Sequence, residues 1–252
     1  MEKIQPIILA GGRGRRMNSD LPKVLLPLQG KPLLAHLLAE IAVSNLKRKP
    51  LIVVGYGANL VKNAIGQEYS FALQENQLGT GHAVLSAEQA VEPGTEHILV
   101  LYGDHPLVTA QTINSLAEAH LENDAPLTMG TIQIPNFEEW RAGFFDFGRV
   151  IRNGGGTIDR IIEKKDASET ELQVTELNPS YFCFKADWLW HNLKKIKNNN
   201  ARGEYYLTDL PHIAKENGEK IATVMIEPIE ALGANTPEQL AILELMLANR
   251  TK

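Results

Sequence analysis

The chain has 252 residues, 44% of them hydrophobic and 22% charged, which is enough to bury a sizeable core and excludes a disordered chain. Its formal net charge of -5 excludes a broad polyanion-binding face, and with it a nucleic-acid partner, but leaves room for a local basic pocket. A single cysteine, Cys183, excludes an intramolecular disulfide and suits a reducing compartment; no apolar run approaches a membrane span, so no membrane partner and a cytoplasmic address are expected.

In chain order, short aliphatic or β-branched runs at Pro6 to Ala10, Leu51 to Gly55, His97 to Tyr102 and Leu127 to Ile134 predict buried strands. Between them Pro32 to Ser44, Ala58 to Gly66, Gly79 to Val91 and Thr109 to Glu122 carry helical spacing, with Leu33, Leu37, Leu38 and Ile41 along one face of the first. This alternation predicts a Rossmann-like α/β fold, a mostly parallel twisted sheet with helices on both faces. After Phe137 the pattern loosens, and a turn at Asn153-Gly154-Gly155-Gly156 leads to strands at Thr157 to Glu163 and Glu176 to Phe184, a small antiparallel addition. A helix at Asp187 to Lys195, a polar loop at Asn198 to Asn200, a helix at Thr208 to Asn217, a strand at Ile221 to Ile226 and a helix at Thr236 to Asn249 follow. Internal repeats, the hexapeptide period of left-handed β-helices included, are absent, so one domain over 1–252 is expected.

The segment Leu9 to Met17 follows the first strand, which places its glycines at the carboxyl end of an open sheet, where such folds bind ligands. Glycines expose N–H donors, and Arg13, Arg15, Arg16 and Lys23 supply positive charge, so phosphate binding is the natural reading. The loop is not a Walker loop, because Gly14-Arg15-Arg16 replaces Gly-Lys-Ser/Thr, and it is not a dinucleotide fingerprint, because Met17 stands where a third glycine belongs. A tight turn flanked by solvated arginines stays open as the alternative.

Seven blocks narrow the choice: Leu9-Ala10-Gly11-Gly12-x-Gly14-x-Arg16-Met17 with Leu21-Pro22-Lys23-Val24-Leu25-Leu26-Pro27-Leu28-x-Gly30-Lys31-Pro32, then Gln74-x-x-Gln77-Leu78-Gly79-Thr80-Gly81-His82-Ala83, Tyr102-Gly103-Asp104-x-Pro106-Leu107, Phe147-Gly148-Arg149-Val150, Ile162-Glu163-x-Lys165-Asp166-Ala167, and Asn198-Asn199-Asn200-Ala201-x-Gly203-Glu204-Tyr205-Tyr206-Leu207-Thr208-Asp209. In this order and over nearly the whole chain they resemble the sugar-phosphate nucleotidyltransferases, most closely those of the N-acetylglucosamine-1-phosphate uridyltransferase type. The resemblance implies the nucleotide-diphospho-sugar transferase form of the α/β fold. It divides the chain into a nucleotide-binding part over about 1–136, a sugar-binding part over about 137–235 and a C-terminal helix over 236–252.

The implied reaction is transfer of UMP from UTP to a sugar 1-phosphate, with N-acetylglucosamine 1-phosphate as first choice and pyrophosphate as leaving group. By resemblance Asp104 and Asn235 hold Mg²⁺, and a carboxylate beyond a strand end suits such a hard cation; its bland alternative is a cap for a helix from Pro106 onward. Arg16 and Lys23 take the catalytic roles, stabilising departing pyrophosphate. Leu9, Ala10, Gly11, Gly12, Gly14, Gln74, Gln77, Gly79, Thr80 and Tyr102 bind the nucleotide, the glutamine amides offering donor and acceptor to the imide edge of uracil. For the sugar the resemblance points to Glu163 and Asn178 on adjacent strands, the Gly148 N–H, and Glu204, Tyr206 and Thr208; without it Tyr205-Tyr206 reads as packing. The acceptor phosphate is already ionised, so no general base is needed and His82 and His105 are not catalysts.

Three positions depart from the family pattern: Arg15 in place of threonine, His105 in place of a small or aliphatic residue, and Pro179-Ser180 after Asn178 in place of threonine-glycine. The hexapeptide-repeat acetyltransferase domain that usually accompanies this type is not in the sequence, and a monomer or weak homo-oligomer is expected. Transfer of another uridylyl or a cytidylyl group to a different phosphorylated acceptor is the nearest rival, and an idle sugar-nucleotide sensor is a rival of another class.

Overall fold

Six consecutive buried residues, Ile4–Leu9, form β1, and because a strand turns alternate residues to opposite faces, Ile4 and Ile8 enter one core layer while Ile7 and Leu9 enter the other. The computed structural model describes residues 1–17 and 19–250; the side chain of Arg15 lies outside the described residues. A two-residue hairpin, β2 (Pro27–Leu28) and β3 (Lys31–Pro32), leads into α1 (Leu33–Val43), followed by β4 (Leu51–Val54), α2 (Ala58–Ile65), β5 (Ser70–Leu73), α3 (Thr80–Leu85), β6 (His97–Tyr102), α4 (Ala110–Asn123) and β7 (Leu127–Gln133). Then come β8 (Gly148–Arg152), β9 (Ile158–Ile162), β10 (Glu176–Asn178), β11 (Phe182–Lys185), α5 (Ala186–Leu193), α6 (Leu210–Glu216), β12 (Ile221–Met225) and α7 (Pro237–Arg250).

The main sheet runs β5-β4-β1-β6-β11-β7-β10-β8-β9, with β12 pairing β7 off this path. Its first half is parallel: β1 pairs β4 and β6, and β4 pairs β5, all in the same direction. The second half is antiparallel, β11 lying against both β6 and β7, and β10 between β7 and β8, except for β12, which runs parallel to β7. Helix α1 and α4 residues such as Leu34, Leu37, Ile113 and Leu116 pack on one face, and α3 and α5 residues such as Val84 and Leu189 on the other. The expected Rossmann-like α/β class with helices on both faces and an antiparallel addition is what forms. Among the described residues no helix is long and apolar enough to cross a membrane.

Several element expectations are corrected. Ser70–Leu73 is an edge strand with two exposed residues of four, so it lacks the apolar run by which its neighbours were read. Gly148–Arg152 is a strand whose pattern is disguised by Arg149, fully buried, with its guanidinium donating to Phe145 O at 2.9 Å and lying over the Phe137 and Phe145 rings. The single strand expected from Glu176 to Phe184 breaks in two, because Pro179 has no N–H to donate and Ser180 takes φ +65°. The helix expected over Gly79 to Val91 ends at Leu85, with a separate 3₁₀ turn at Glu88–Ala90.

His120 on α4 is nearly fully buried, with Nδ1 at 3.0 Å from Thr128 Oγ1 and Nε2 at 3.1 Å from His97 Nδ1, and burial pushes its pKa down to about 4. An unfolded histidine takes its proton near 6.5, so stability is intact above that pH, is lost as pH falls from 6.5 towards about 4, and levels off below. The slope for one proton is at most about 1.4 kcal/mol per pH unit. Urea unfolding across this window is expected to show that slope, and His120→Gln should flatten it; an unchanged slope in the variant would place the acid sensitivity elsewhere.

Candidate active site

The carboxyl ends of the parallel strands open into one cleft of about 660 Å³. The glycine loop after β1 forms its base. Gly14, at φ +66°, sits where only glycine is relaxed, and an added Cβ would come within 2.9 Å of Lys23 Cβ. At Gly11 a Cβ would stand 3.3 Å from both Gln74 Oε1 and the Gly55 nitrogen, so the loop, the β4 end and the glutamines are packed against one another.

Both glutamines are held by backbone. Gln77 Nε2 donates to Gly11 O at 2.8 Å, and buried Gln74 donates to Gly79 O at 3.1 Å and faces His82 Nδ1 at 3.2 Å. Thr80, first residue of α3, accepts the Leu207 N–H at 3.0 Å, while Gly81 N–H donates to Tyr205 O at 2.8 Å. The 204–207 loop thereby clasps the start of α3, and the Tyr102 hydroxyl at the end of β6 faces those of Ser180 and Thr80.

Asp104, two residues beyond β6, is buried and ion-paired with Lys23, whose ammonium also donates to Asn235 Oδ1 at 2.8 Å. Burial opposes ionisation of Asp104, but Lys23 and His105 outweigh it and hold the carboxyl below its ordinary range. Asp104 is not a helix cap: α4 begins later, capped by Thr109, whose Oγ1 accepts the Thr112 N–H at 3.2 Å. Two side-chain oxygens thus converge on one cation, here an ammonium. The donor set fits a hard divalent ion, with the remaining positions left to phosphate oxygens and water once Lys23 moves aside. Among the described residues no group of three or more His, Cys, Asp and Glu side chains gathers as a separate metal centre.

On the antiparallel side Asn178 faces Gly148 in register, and Glu163 follows the end of β9. The expectation that Glu163 and Asn178 stand on adjacent strands is corrected, since β8 runs between β10 and β9. Gly148 on that middle strand leaves the space open: a Cβ there would lie 3.0 Å from Ile161 Cγ2 and 3.4 Å from Glu163 Oε1. Glu163 accepts the Thr208 hydroxyl at 3.0 Å, and its pKa is raised by burial, with the Thr208 bond opposing. Buried Asn178 accepts the Ser180 N–H on Oδ1 at 2.8 Å.

Of the residues singled out in the sequence, Leu9, Gly11, Gly12, Gly14, Lys23, Gln74, Gln77, Gly79, Thr80, Tyr102, Asp104, Gly148, Glu163, Asn178, Glu204 and Asn235 line this cleft. Four do not. Ala10 is buried beneath the loop, Arg16 is exposed and 3.7 Å from Asp146, and Tyr206 and Thr208 line an adjoining cleft of about 380 Å³ that shares Glu163. Sequence reasoning gave no role to Asp146, Phe147 or Arg202, which also line the main cleft. Arg202 is the unassigned position in the Asn198 to Asp209 block, where its charge was the available signal, and Phe147 opens the Phe147 to Val150 block; nothing in the sequence pattern marks Asp146.

Residues 6–138 match the family described as the MobA-like NTP transferase domain. Over 251 residues, 99% of its length, the chain is 39% identical to the bifunctional protein GlmU of Brevibacillus brevis, of which it covers 53%. Over 255 residues it is 36% identical to the bifunctional protein GlmU of Desulfotalea psychrophila, of which it covers 73%. The chain spans about half the length of most of the curated relatives it matches. Its fold matches that of a Bacillus anthracis protein described as a glucose-1-phosphate thymidylyltransferase in complex with sucrose, with a TM-score of 0.75 and 19% identity over 96% of this chain and 94% of that one.

Because the Thr208 bond opposes the effect of burial, Thr208→Val is expected to move the Glu163 titration to higher pH. Side-chain carboxyl ¹³C shifts followed against pH measure this, and an unmoved midpoint would mean that the Thr208 bond has no part in setting the Glu163 pKa.

Proposed function

Because the chain belongs to the family of MobA-like NTP transferases and aligns over nearly all its length with GlmU proteins, we propose that it transfers UMP from UTP to N-acetylglucosamine 1-phosphate. The products are UDP-N-acetylglucosamine and pyrophosphate, and Mg²⁺ is the metal. The observation that carries this reading is the meeting of Lys23, Asp104 and Asn235 between the glycine loop and the Glu163–Asn178 wall, where a nucleotide on one side and a sugar phosphate on the other would present their phosphates.

In this reading an ionised oxygen of the sugar phosphate attacks the α-phosphorus of UTP as the bond to the β-phosphate oxygen breaks, and the electron pair leaves with pyrophosphate. No proton has to be removed from the nucleophile, so neither His82 nor His105 acts as a base. Bound Mg²⁺, held by Asp104 and Asn235, would neutralise charge on the phosphates. The loop N–H groups at Gly11 and Gly12 cradle the triphosphate, and Lys23, released from Asp104, follows the charge that builds on the leaving group. Arg16, at the rim beside Asp146, reaches the same phosphates from solvent. Gln74 and Gln77 read the imide edge of uracil with amide positions that the backbone has already fixed. Gly148, Glu163, Asn178 and Glu204 take the sugar, and Thr208 acts through Glu163. A cytoplasmic monomer or weak homo-oligomer completes the reading.

A pyrophosphate-release assay crossing the four nucleoside triphosphates with a panel of sugar 1-phosphates tests it. UTP should exceed CTP by on the order of one hundredfold in kcat/KM, since cytosine leaves polar groups mispaired against the glutamines. N-acetylglucosamine 1-phosphate should lead the acceptors. Equal rates with UTP and CTP would move the base pocket elsewhere, and a clear lead for glucose 1-phosphate would overturn the sugar.

Asp104→Asn is expected to lower kcat by at least about a hundredfold, roughly 3 kcal/mol of transition-state stabilisation, with the fold retained. Steady-state kinetics with circular dichroism checks both parts, and a variant turning over at the parent rate removes Asp104 from the metal site.

A further inference from the structure

Asp104 and Asn235 reach one ammonium from the end of β6 and from the approach to α7, and a buried polar strut joins these two segments. His105, next to Asp104, is buried against Tyr102, ring centroids 5.6 Å apart, and edge-on to Tyr181 at 5.5 Å. Its Nδ1 lies 2.6 Å from the Tyr181 hydroxyl, and that hydroxyl donates to Glu230 O at 2.9 Å. A tyrosine has one O–H to give, so the hydrogen between the two side chains belongs to His105 Nδ1, and donation runs from His105 through Tyr181 to Glu230. The buried Glu230 carboxylate accepts the Thr109 N–H at 3.0 Å and the Thr109 hydroxyl at 3.2 Å, anchoring the Pro228–Ala231 turn to the start of α4.

From that anchored turn the chain runs through Leu232, Gly233 and Ala234 to Asn235. Gly233 presses on the imidazole so closely that a Cβ would lie 2.7 Å from Cδ2 and Nε2, and the Ala234 N–H donates to Asp104 O at 3.3 Å. The imidazole is therefore both a bonded link and a spacer between the two oxygen donors.

We propose that His105 and Tyr181 are positioning residues that set the separation of Asp104 and Asn235 for a divalent cation. This rests on the reading of those two side chains as the cation's ligands. Neither His105 nor Tyr181 contacts the cation in this scheme; both act through the backbone that carries its ligands. If the pair were packing alone, loss of the tyrosine hydroxyl would lower thermal stability and leave cation affinity as it was.

The test is Mn²⁺ binding in the presence of UTP and without acceptor, followed by enhancement of water-proton relaxation, with thermal unfolding of the same samples. Tyr181→Phe and His105→Leu should each weaken Mn²⁺ by about tenfold or more, the usual scale for groups that orient ligands, with the KM for UTP at saturating metal unchanged. His105→Asn, whose amide N–H can replace the Nδ1 donor, should stay within about threefold of the parent, far inside that loss. Parent-like Mn²⁺ affinity in Tyr181→Phe and His105→Leu overturns the strut whatever happens to the melting temperature, as does an equal loss in His105→Asn. Failure of the parent protein itself to bind Mn²⁺ overturns instead the assignment of Asp104 and Asn235 on which the strut depends.

Discussion

The contact on which the site depends is the buried meeting of the Lys23 ammonium with the oxygens of Asp104 and Asn235. A carboxylate withdrawn from water carries a desolvation cost of several kcal/mol unless a cation and further hydrogen bonds compensate it. Lys23 provides that compensation, and it packs against the turn at Gly14, which has a positive φ and lies so close that a side chain there would meet Lys23 Cβ. The loop conformation, the lysine position and the ionised state of Asp104 are thus one constraint. A divalent ion bringing two positive charges replaces one in this arrangement, so on the proposed function the lysine is freed for the phosphates at the moment its place is taken.

The sheet assigns the two walls of the cleft to two kinds of strand pairing. Parallel strands end together, so β1, β4 and β6 deliver the glycine loop, Gly55 and Asp104 to one edge. The opposite wall needs side chains that reach across, and the antiparallel β10, β8 and β9 provide them by placing Asn178, Gly148 and Glu163 in a row. The reversal happens at β11, which pairs antiparallel with both β6 and β7 and so joins the parallel half of the sheet to the antiparallel one. Pro179-Ser180-Tyr181, where the chain leaves β10 for β11, therefore lies at the seam of the two halves.

Much of this was legible in the sequence because strands buried on both faces read as unbroken aliphatic runs, as at Ile4–Leu9 and His97–Tyr102. The glycine loop, Asp104 and the glutamines were legible through their order and spacing. What escaped did so for local reasons. Ser70–Leu73 is half exposed, Gly148–Arg152 carries a buried arginine whose terminal nitrogens meet carbonyls and whose guanidinium lies over aromatic rings while Nε has no hydrogen-bond partner among the described residues, and neither has the pattern that burial usually imposes. The strand between Glu163 and Asn178 was invisible for the same cause, which is why those two residues were expected to be neighbours. The resemblance grouped Tyr206 and Thr208 with Glu204, but these two line the adjoining cleft, where Thr208, in the short turn before α6, donates to Glu163. The departure at His105 made sense only with Tyr181 beside it, a partner from the distant connection between β10 and β11 that no local spacing announces.

Ser180 shows how a departure from a family pattern can be absorbed and still leave a mark. A non-glycine residue at φ +65° carries a steric cost of roughly 1 kcal/mol, and the Ser180 N–H bond to Asn178 Oδ1 at 2.8 Å offsets part of it. That bond occupies one lone-pair direction of the Asn178 carbonyl oxygen. The amide nitrogen is held less firmly, with one N–H directed at Ser180 Oγ across 3.4 Å. What Asn178 offers the cleft is therefore chiefly a donor. On the proposed function, a donor at that place suits an acceptor oxygen on the sugar, hydroxyl or acetamido carbonyl alike, so that reading leaves the selectivity between acetylated and unacetylated sugars to the shape of the wall that Pro179 and Ser180 form beside it.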